Sequence, residues 1–196
     1  MAEKKYIVTI TRQFGSLGRP IAREMSEILG IEYYDRDIVE ATSKKMNLPV
    51  SKISEHEETY STSLFPMLLP LGSDSIAKQD EIYNVQKEVI REMAEKESCI
   101  IVGRCADYVL KERENVVNLF VRASMSYRLQ RAIVNYQVDE KKAADIIMKN
   151  DKRRRNYYNY HVGEKWADLN NYDLVIRSDM CGIDNAVKCI ITYIGE

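Results

Sequence analysis

Tyr6-Ile-Val-Thr-Ile10 runs into Arg12-Gln-Phe-Gly-Ser-Leu-Gly-Arg-Pro20, and the reading of that junction decides the fold. The first stretch is rich in β-branched residues and reads as a strand. The second is a glycine-containing loop, and Pro20, with its φ preset near the helical value, suits the first turn of a helix. Ile21, Met25, Ile28 and Leu29 recur at helical spacing, and Gly30 is placed to end that helix. Ile31-Glu-Tyr-Tyr34 then reads as a second short strand, closing at Asp35-Arg-Asp37. Strand, glycine loop, helix and strand form a βαβ unit, the building block of parallel sheets.

The alternation continues outward from there. Ile82, Val85, Val89, Ile90 and Met93 mark an amphipathic helix, and Cys99-Ile-Ile-Val102 a fully buried strand that ends at Gly103-Arg104. A helix near 105–112 and a strand over 116–121 follow. Residues 125–134 and 139–156 read as helices, the second ending in the charge run 149–155 and the aromatic run Tyr157-Tyr-Asn-Tyr160. Asp173-Leu-Val-Ile176 is a last strand, and Ile183, Ala186, Val187, Ile190, Ile191 and Ile194 mark a closing helix. Residues 44–75 stand apart. They carry Pro49, Pro66 and Pro70 and the apolar stretch Leu64–Leu71, and read as an irregular or partly helical insertion. Five strands with interleaved helices give one α/β domain.

Composition narrows the function classes. The chain has 196 residues, enough to bury a core without disulfide or metal staples. Its 29 basic side chains against 30 acidic ones argue against a general nucleic-acid coat protein. No apolar run is long enough to cross a membrane, and MAEKKYIVTI lacks a signal-peptide apolar region, so a cytoplasmic protein is expected. Cys99, Cys105, Cys181 and Cys189 show no C-x-x-C spacing, and no metal site is expected.

Four places carry chemistry. The loop Phe14-Gly-Ser-Leu-Gly-Arg19, between a strand and a helix N-terminus, directs backbone N–H groups and the helix dipole at one spot, which suits phosphate. The pattern G-x-x-x-x-G-K-[ST] would place Gln13 at its first glycine, Arg19 at the lysine and Pro20 at the hydroxyl. A βα turn that binds nothing is the alternative. Gly103-Arg104-Cys-Ala-Asp107 follows a buried strand, where ligands sit in open parallel sheets, although an Arg–Asp pair there can equally be structural. Arg128 and Arg131 share a helix face, as do Asp151 and Arg154 beside Arg153 and Arg155. Converging arginines would stabilise charge on a transferring phosphoryl group; a solvated basic helix end is the plain alternative. The adjoining tyrosines admit base stacking, a reading disfavoured by the balanced charge. Asp35-Arg-Asp37 could orient a nucleophile or hold magnesium through water, or simply cap the next helix.

Taken together, Thr9-Ile-Thr-Arg-Gln-Phe-Gly-Ser-Leu-Gly-Arg19, Ile31-Glu-Tyr-Tyr-Asp-Arg36 and Ile100-Ile-Val-Gly-Arg-Cys-Ala-Asp107 resemble the cytidylate-kinase-like family. So do Asp151-Lys-Arg-Arg-Arg-Asn-Tyr-Tyr158, Gly163-Glu-Lys-Trp166 and Asn171-Tyr-Asp-Leu-Val175, in order across nearly the whole chain. The resemblance implies a P-loop NTPase three-layer sandwich with a five-stranded parallel sheet, a nucleoside-monophosphate-kinase-like insertion and a helical lid. The core would take about 1–35, 80–130 and 160–196, the acceptor-binding insertion about 36–80, and the lid about 131–158. Phe14, Gly15, Ser16, Leu17, Gly18 and Arg19 would form the ATP phosphate loop. Asp35, Arg36, Arg104 and Asp107 would meet the acceptor, and Arg19, Arg128, Arg131, Asp151 and Arg154 would serve catalysis.

The chain departs from authentic cytidylate kinases at the loop, where Arg19, Pro20 and Ile21 replace Lys, Gly and Thr. Val102 and Cys105 replace two Asp residues, and no Arg occurs between Asp37 and Ile90. The expected function is therefore transfer of the γ-phosphoryl of ATP to a nucleoside monophosphate, CMP- or dCMP-like, or to another small phosphorylated acceptor. Mg²⁺ would be held mainly through phosphates and waters. The alternative is a non-catalytic nucleotide-binding or regulatory module on the same fold.

Overall fold

The computed structural model describes residues 5–59 and 73–195. At its centre lies β1 (Ile7–Arg12), with Ile7, Val8 and Ile10 fully sealed from solvent. A β-branched run buried on both faces belongs in the middle of a parallel sheet. It pairs in parallel with β3 (Cys99–Val102) on one side and β4 (Val116–Arg122) on the other. The edge strands β2 (Glu32–Tyr34) and β5 (Leu174–Arg177) complete the order β2-β3-β1-β4-β5, also in parallel. All five expected strands are present.

Successive strand residues point to opposite faces, so the sheet has two cores. One gathers Ile7, Ile101 and Phe120 with residues of α4 (Ser73–Lys96) and α5 (Ala106–Val109), and with Trp166 and Tyr172. The other gathers Val8, Ile10, Ile100 and Val121 with α1 (Gly18–Leu29) and α8 (Ser178–Ile194). Helix α1 buries Gly18, Ile21, Ala22 and Met25, the i, i+3, i+4, i+7 stripe of an amphipathic helix, and stops at Gly30 in the left-handed conformation. Helix α8 begins before the expected Ile183, because a first turn precedes a break at Gly182.

The region expected to be irregular or partly helical is mostly helical where it is described. Helices α2 (Asp37–Met46) and α3 (Val50–Thr59) share a small core of Val39, Ile53 and Ile82 with α4. Pro49 opens α3 rather than interrupting it, and its carbonyl accepts from the Ile53 N–H. The apolar stretch Leu64–Leu71 lies outside the described residues. Helices α6 (Met125–Tyr136) and α7 (Glu140–Val162) pack on each other through Ala132, Ala143 and Ile147. Helix α7, about 34 Å long at 1.5 Å per residue, runs past the expected end at 156 and carries the tyrosine run within it. Tyr158 and Val162 are buried in the main core, and the Tyr157 hydroxyl donates to Gln86 Oε1 at 2.7 Å. Those rings hold α7 to α4 and α5, and Tyr158 has no open face for a nucleic-acid base. Among the described residues no helix is long and apolar enough to cross a membrane.

One consequence of the strand order positions the site. From β1 the chain turns to α1 on one face of the sheet, and from its neighbour β3 it turns to α5 on the other. A crevice opens at the carboxyl ends of strands whose connections diverge in this way.

Candidate functional site

A cavity of about 340 Å³ occupies that crevice. Thr11 and Arg12 enter it from the end of β1, Arg19 from the first turn of α1, and Gly103, Arg104 and Cys105 from the loop after β3. Asn150, Arg153, Arg154 and Tyr157 enter from α7, at the spacing of one helix face. Ser54, Tyr158 and Trp166 complete the lining. Five arginines thus meet in a chain whose net charge is −1.

Arg12 sits deepest. Its side chain runs past two glycines: a Cβ on Gly18 would lie 2.8 Å from the Arg12 Cβ, against the stem, and one on Gly103 would overlap its Nη1, at the guanidinium end. Asp35, at the end of β2, is placed between Arg12 and Arg19. Its Oδ1 is 3.5 Å from Arg12 Nη2 and its Oδ2 is 2.5 Å from Arg19 Nε. The Arg12 side chain is only 15% exposed, and its Nε is sealed from solvent with no hydrogen-bond partner. Burial, then repulsion from Arg154, Arg19 and Arg104, holds its pKa well below the usual guanidinium value, against the pull of Asp35. Burial also pushes Arg154 down to about 10, with Asp151 opposing. Both groups stay charged near neutrality, so the cavity holds more buried positive charge than its carboxylates balance. A polyanion would relieve that imbalance.

The loop after β1 is built by contacts distant in sequence. Asp151 Oδ1 accepts from the Phe14 N–H at 2.7 Å, and Oδ2 pairs with Arg128 Nη1, which also donates to the Phe14 carbonyl at 3.4 Å. Arg154 Nη1 donates to the Arg12 carbonyl at 3.1 Å. The Ser16 hydroxyl turns inward to the carbonyls of Gln13 and Val121, and Ser178 donates to the Ser16 carbonyl. Leu17 adopts a left-handed φ of 68° just before α1, a conformation costing about 1–2 kcal/mol for a residue with a Cβ. Arg104 and Cys105 repeat that conformation after Gly103. Backbone strain of this kind persists where the surrounding structure over-determines it, as in ligand clamps.

The expected residues fall into three groups. Arg19, Arg104 and Arg154 line the cavity, and Asp35 joins them through Arg12 and Arg19. Arg128 and Asp151 stand behind the loop and fasten Phe14; Gly15, Ser16, Leu17 and Gly18 do not line the cavity, and neither does Phe14. Arg36, Asp107 and Arg131 lie elsewhere. Arg36 is exposed beside Glu40, and Arg131 has its guanidinium 6.0 Å from the Tyr136 ring. Asp107 is buried and accepts from the Tyr158 hydroxyl at 2.8 Å. Of the three successive arginines on α7, Arg153 and Arg154 line the cavity and Arg155 is exposed. Arg12 and Arg153 were not among the expected site residues. An arginine closing an otherwise apolar strand is the signal for the first, since arginine is seldom buried unpaired.

The donors present do not fit a magnesium ion held by side chains. Magnesium takes hard oxygen ligands, and Pro20 supplies none at the hydroxyl position. Asp35 has both oxygens against guanidinium groups, and Asp151 has its two on Phe14 N and Arg128. Among the described residues no group of three or more His, Cys, Asp or Glu gathers in metal-binding range.

Comparison with known proteins gives this geometry a setting. The cytidylate kinase-like family matches residues 7–180. A cytidylate kinase of Saccharolobus islandicus (strain L.S.2.15 / Lassen #1) is 24% identical over 57% of this chain; the match spans 59% of that relative's length. A cytidylate kinase of Thermoplasma acidophilum is 22% identical over 88% of this chain and 83% of its own. Among solved structures, an uncharacterized protein from Eubacterium ventriosum is 29% identical, with a TM-score of 0.73, covering 97% of this chain and 98% of its own. A shikimate kinase from Bacteroides thetaiotaomicron shares the fold at a TM-score of 0.57 and 12% identity, over 97% and 99% of the two chains.

Proposed function

The chain belongs to the cytidylate kinase-like family, and on that premise we propose that it transfers the γ-phosphoryl group of ATP to a nucleoside monophosphate, CMP- or dCMP-like, or to another small phosphorylated acceptor. The observation that carries this reading is the convergence of Arg12, Arg19, Arg104, Arg153 and Arg154 on one crevice at the carboxyl ends of β1 and β3. Phosphoryl transfer asks for positioning and neutralisation of charge, and little covalent help.

Arg12 and Arg19 hold the donor's phosphates, and Arg104 on the opposite loop holds the acceptor's phosphate. An oxygen of that phosphate attacks the γ-phosphorus. The new P–O bond forms as the bond to the bridging oxygen breaks, and the diphosphate leaves with that electron pair. Arg153 and Arg154 meet the charge that spreads over the transferring group, in a site where fixed donors act more strongly than in water. Asp151 and Arg128 position the loop and touch no substrate. Tyr157 and Trp166 offer apolar surface for a ring on the acceptor. Magnesium entering with a nucleotide would be held through phosphate oxygens and waters rather than by side chains of this chain.

A coupled assay for ADP across CMP, dCMP, UMP, AMP and other small phosphorylated acceptors tests this reading. Stimulation by at least one acceptor, lost in Arg154→Ala, supports it; no stimulation by any acceptor overturns it. The Asp151 carboxylate on the Phe14 N–H favours a second reading, because it occupies a loop donor that phosphate would otherwise use. In that reading the chain binds nucleotide without turnover, and calorimetry with no product formation selects it.

A further inference from the structure

The sequence offers Asp35 as a carboxylate that could hold magnesium through water, but its oxygens face guanidinium groups instead, and that disagreement has a direction. The carboxylates bordering the crevice are occupied by cations of the chain itself: Asp35 by Arg12 and Arg19, Asp151 by Arg128 with Arg154 at 3.8 Å. The hydroxyl of the loop is committed too: Ser16 is 1% exposed and spends its proton on backbone carbonyls. Arginines fill the remaining space, and the buried Nε of Arg12 lacks an acceptor.

Resting on the donor reading above, we propose that Arg12 and Arg19, oriented by Asp35, do the charge-neutralising work of a divalent cation, so that this chain binds a nucleoside triphosphate in its metal-free form. Two features make the pair act as one seat. Asp35 takes one oxygen to each guanidinium, which fixes both forks without cancelling both charges. Gly18 leaves room for the Arg12 stem and Gly103 for its guanidinium at the end of β1, where any side chain on Gly103 would displace it. A planar fork offers paired N–H donors to phosphate oxygens, the recognition that a point charge does not supply. A divalent ion arriving on the phosphates adds positive charge to a cavity that already carries an excess of it, and so gains little there.

Calorimetric titration of the full chain with ATP, in EDTA and then in excess Mg²⁺, tests the proposal, with inorganic tripolyphosphate as a second probe. The expected result is a dissociation constant in EDTA no larger than in Mg²⁺. Arg12→Met is expected to weaken metal-free binding at least tenfold. Arg19→Met removes the second, 61% exposed guanidinium with little risk to folding, and is expected to weaken it at least fivefold. A metal-free affinity more than tenfold below the Mg²⁺ value, or unchanged binding in Arg19→Met, overturns the proposal. Tripolyphosphate binding without metal, in the absence of ATP binding, supports the arginine seat and counts against the nucleotide donor. Binding of ATP only with Mg²⁺, together with acceptor-dependent turnover, leaves the kinase reading standing and ends this one. No binding of either probe under either condition ends both.

Discussion

Asp151, about three-quarters of the way along the chain, accepts a hydrogen bond from the backbone N–H of Phe14 at 2.7 Å, across 137 residues of sequence. The same carboxylate pairs with Arg128, and both side chains are about nine-tenths buried. The helix pair α6–α7 is thereby clamped to the loop that follows β1.

Breaking that clamp has a cost in stability as well as in function. Asp151→Ala leaves Arg128 charged and buried with its partner gone, a change that typically costs about 3–5 kcal/mol. Thermal unfolding is expected to show a fall of several degrees, and nucleotide affinity is expected to fall with it. An unchanged melting temperature would show that the pair contributes nothing.

Gly103→Ala separates stability from binding. The position has φ +82°, so a Cβ there costs about 1–2 kcal/mol of backbone strain. The larger effect is local. The new methyl group would overlap Arg12 Nη1, and the guanidinium, as the end of a flexible chain, moves aside. Denaturant unfolding is expected to register a modest loss, while triphosphate affinity falls at least tenfold.

Arg154→Ala and Arg36→Ala make a matched pair. Arg154 lines the cavity and donates to the Arg12 carbonyl, so its removal is expected to lower kcat/KM by about a hundredfold or more, the scale seen when one preorganised transition-state donor is lost. Arg36 is exposed beside Glu40, and its loss is expected to change stability and kcat/KM by less than about 0.5 kcal/mol. Equal losses in the two variants would contradict the placement of the site.

Two buried groups oppose each other in pH dependence. Burial pushes the Asp107 carboxyl up from 3.8 to about 6, although the Tyr158 hydroxyl pulls it the other way. Its protonated form is favoured in the folded chain, so its contribution is fully present below pH 3.8 and is lost as pH rises through about 6. Burial, helped by Lys87, holds His161 down from 6.5 to about 4, where it stacks on Tyr83 with centroids 3.8 Å apart. That contribution is present above pH 6.5 and is lost as pH falls through about 4. The slopes oppose between these values, and the wild-type stability profile is expected to be shallow there. Asp107→Asn keeps an acceptor for Tyr158 and removes one slope. Urea unfolding across pH 4–7 should then show stability rising with pH, with a gain at neutrality on the order of 2 kcal/mol over wild type. A profile parallel to wild type would refute this.

Much of the architecture was legible because it is written in local repeats. Strand β3 occupies the apolar run Cys99–Val102, and α1 follows the spacing of Ile21 and Met25, since burial selects side chains at the period of the backbone. The end of α7 was less legible. Its tyrosines looked like a segment beyond the helix, and only their contacts with Gln86 and Asp107 explain why the helix continues. Asp107 shows the converse error of adjacency. It lies three residues from Arg104, yet the turn after Gly103 sends Arg104 to the cavity and Asp107 to the core.

Local patterns in the chain were enough for the strand–loop–helix start, for the alternation that makes a parallel sheet, and for the family to which those blocks belong. The tertiary structure alone decided which charges meet. Arg12, Arg104 and Arg154 are separated by long stretches of chain, and they converge because the sheet sets β1 between β3 and β4 and lays α7 across the ends. Local periodicity reports what is buried on an element's own face. It carries no record of which strand lies next to it, and electrostatic pairing depends on that neighbour.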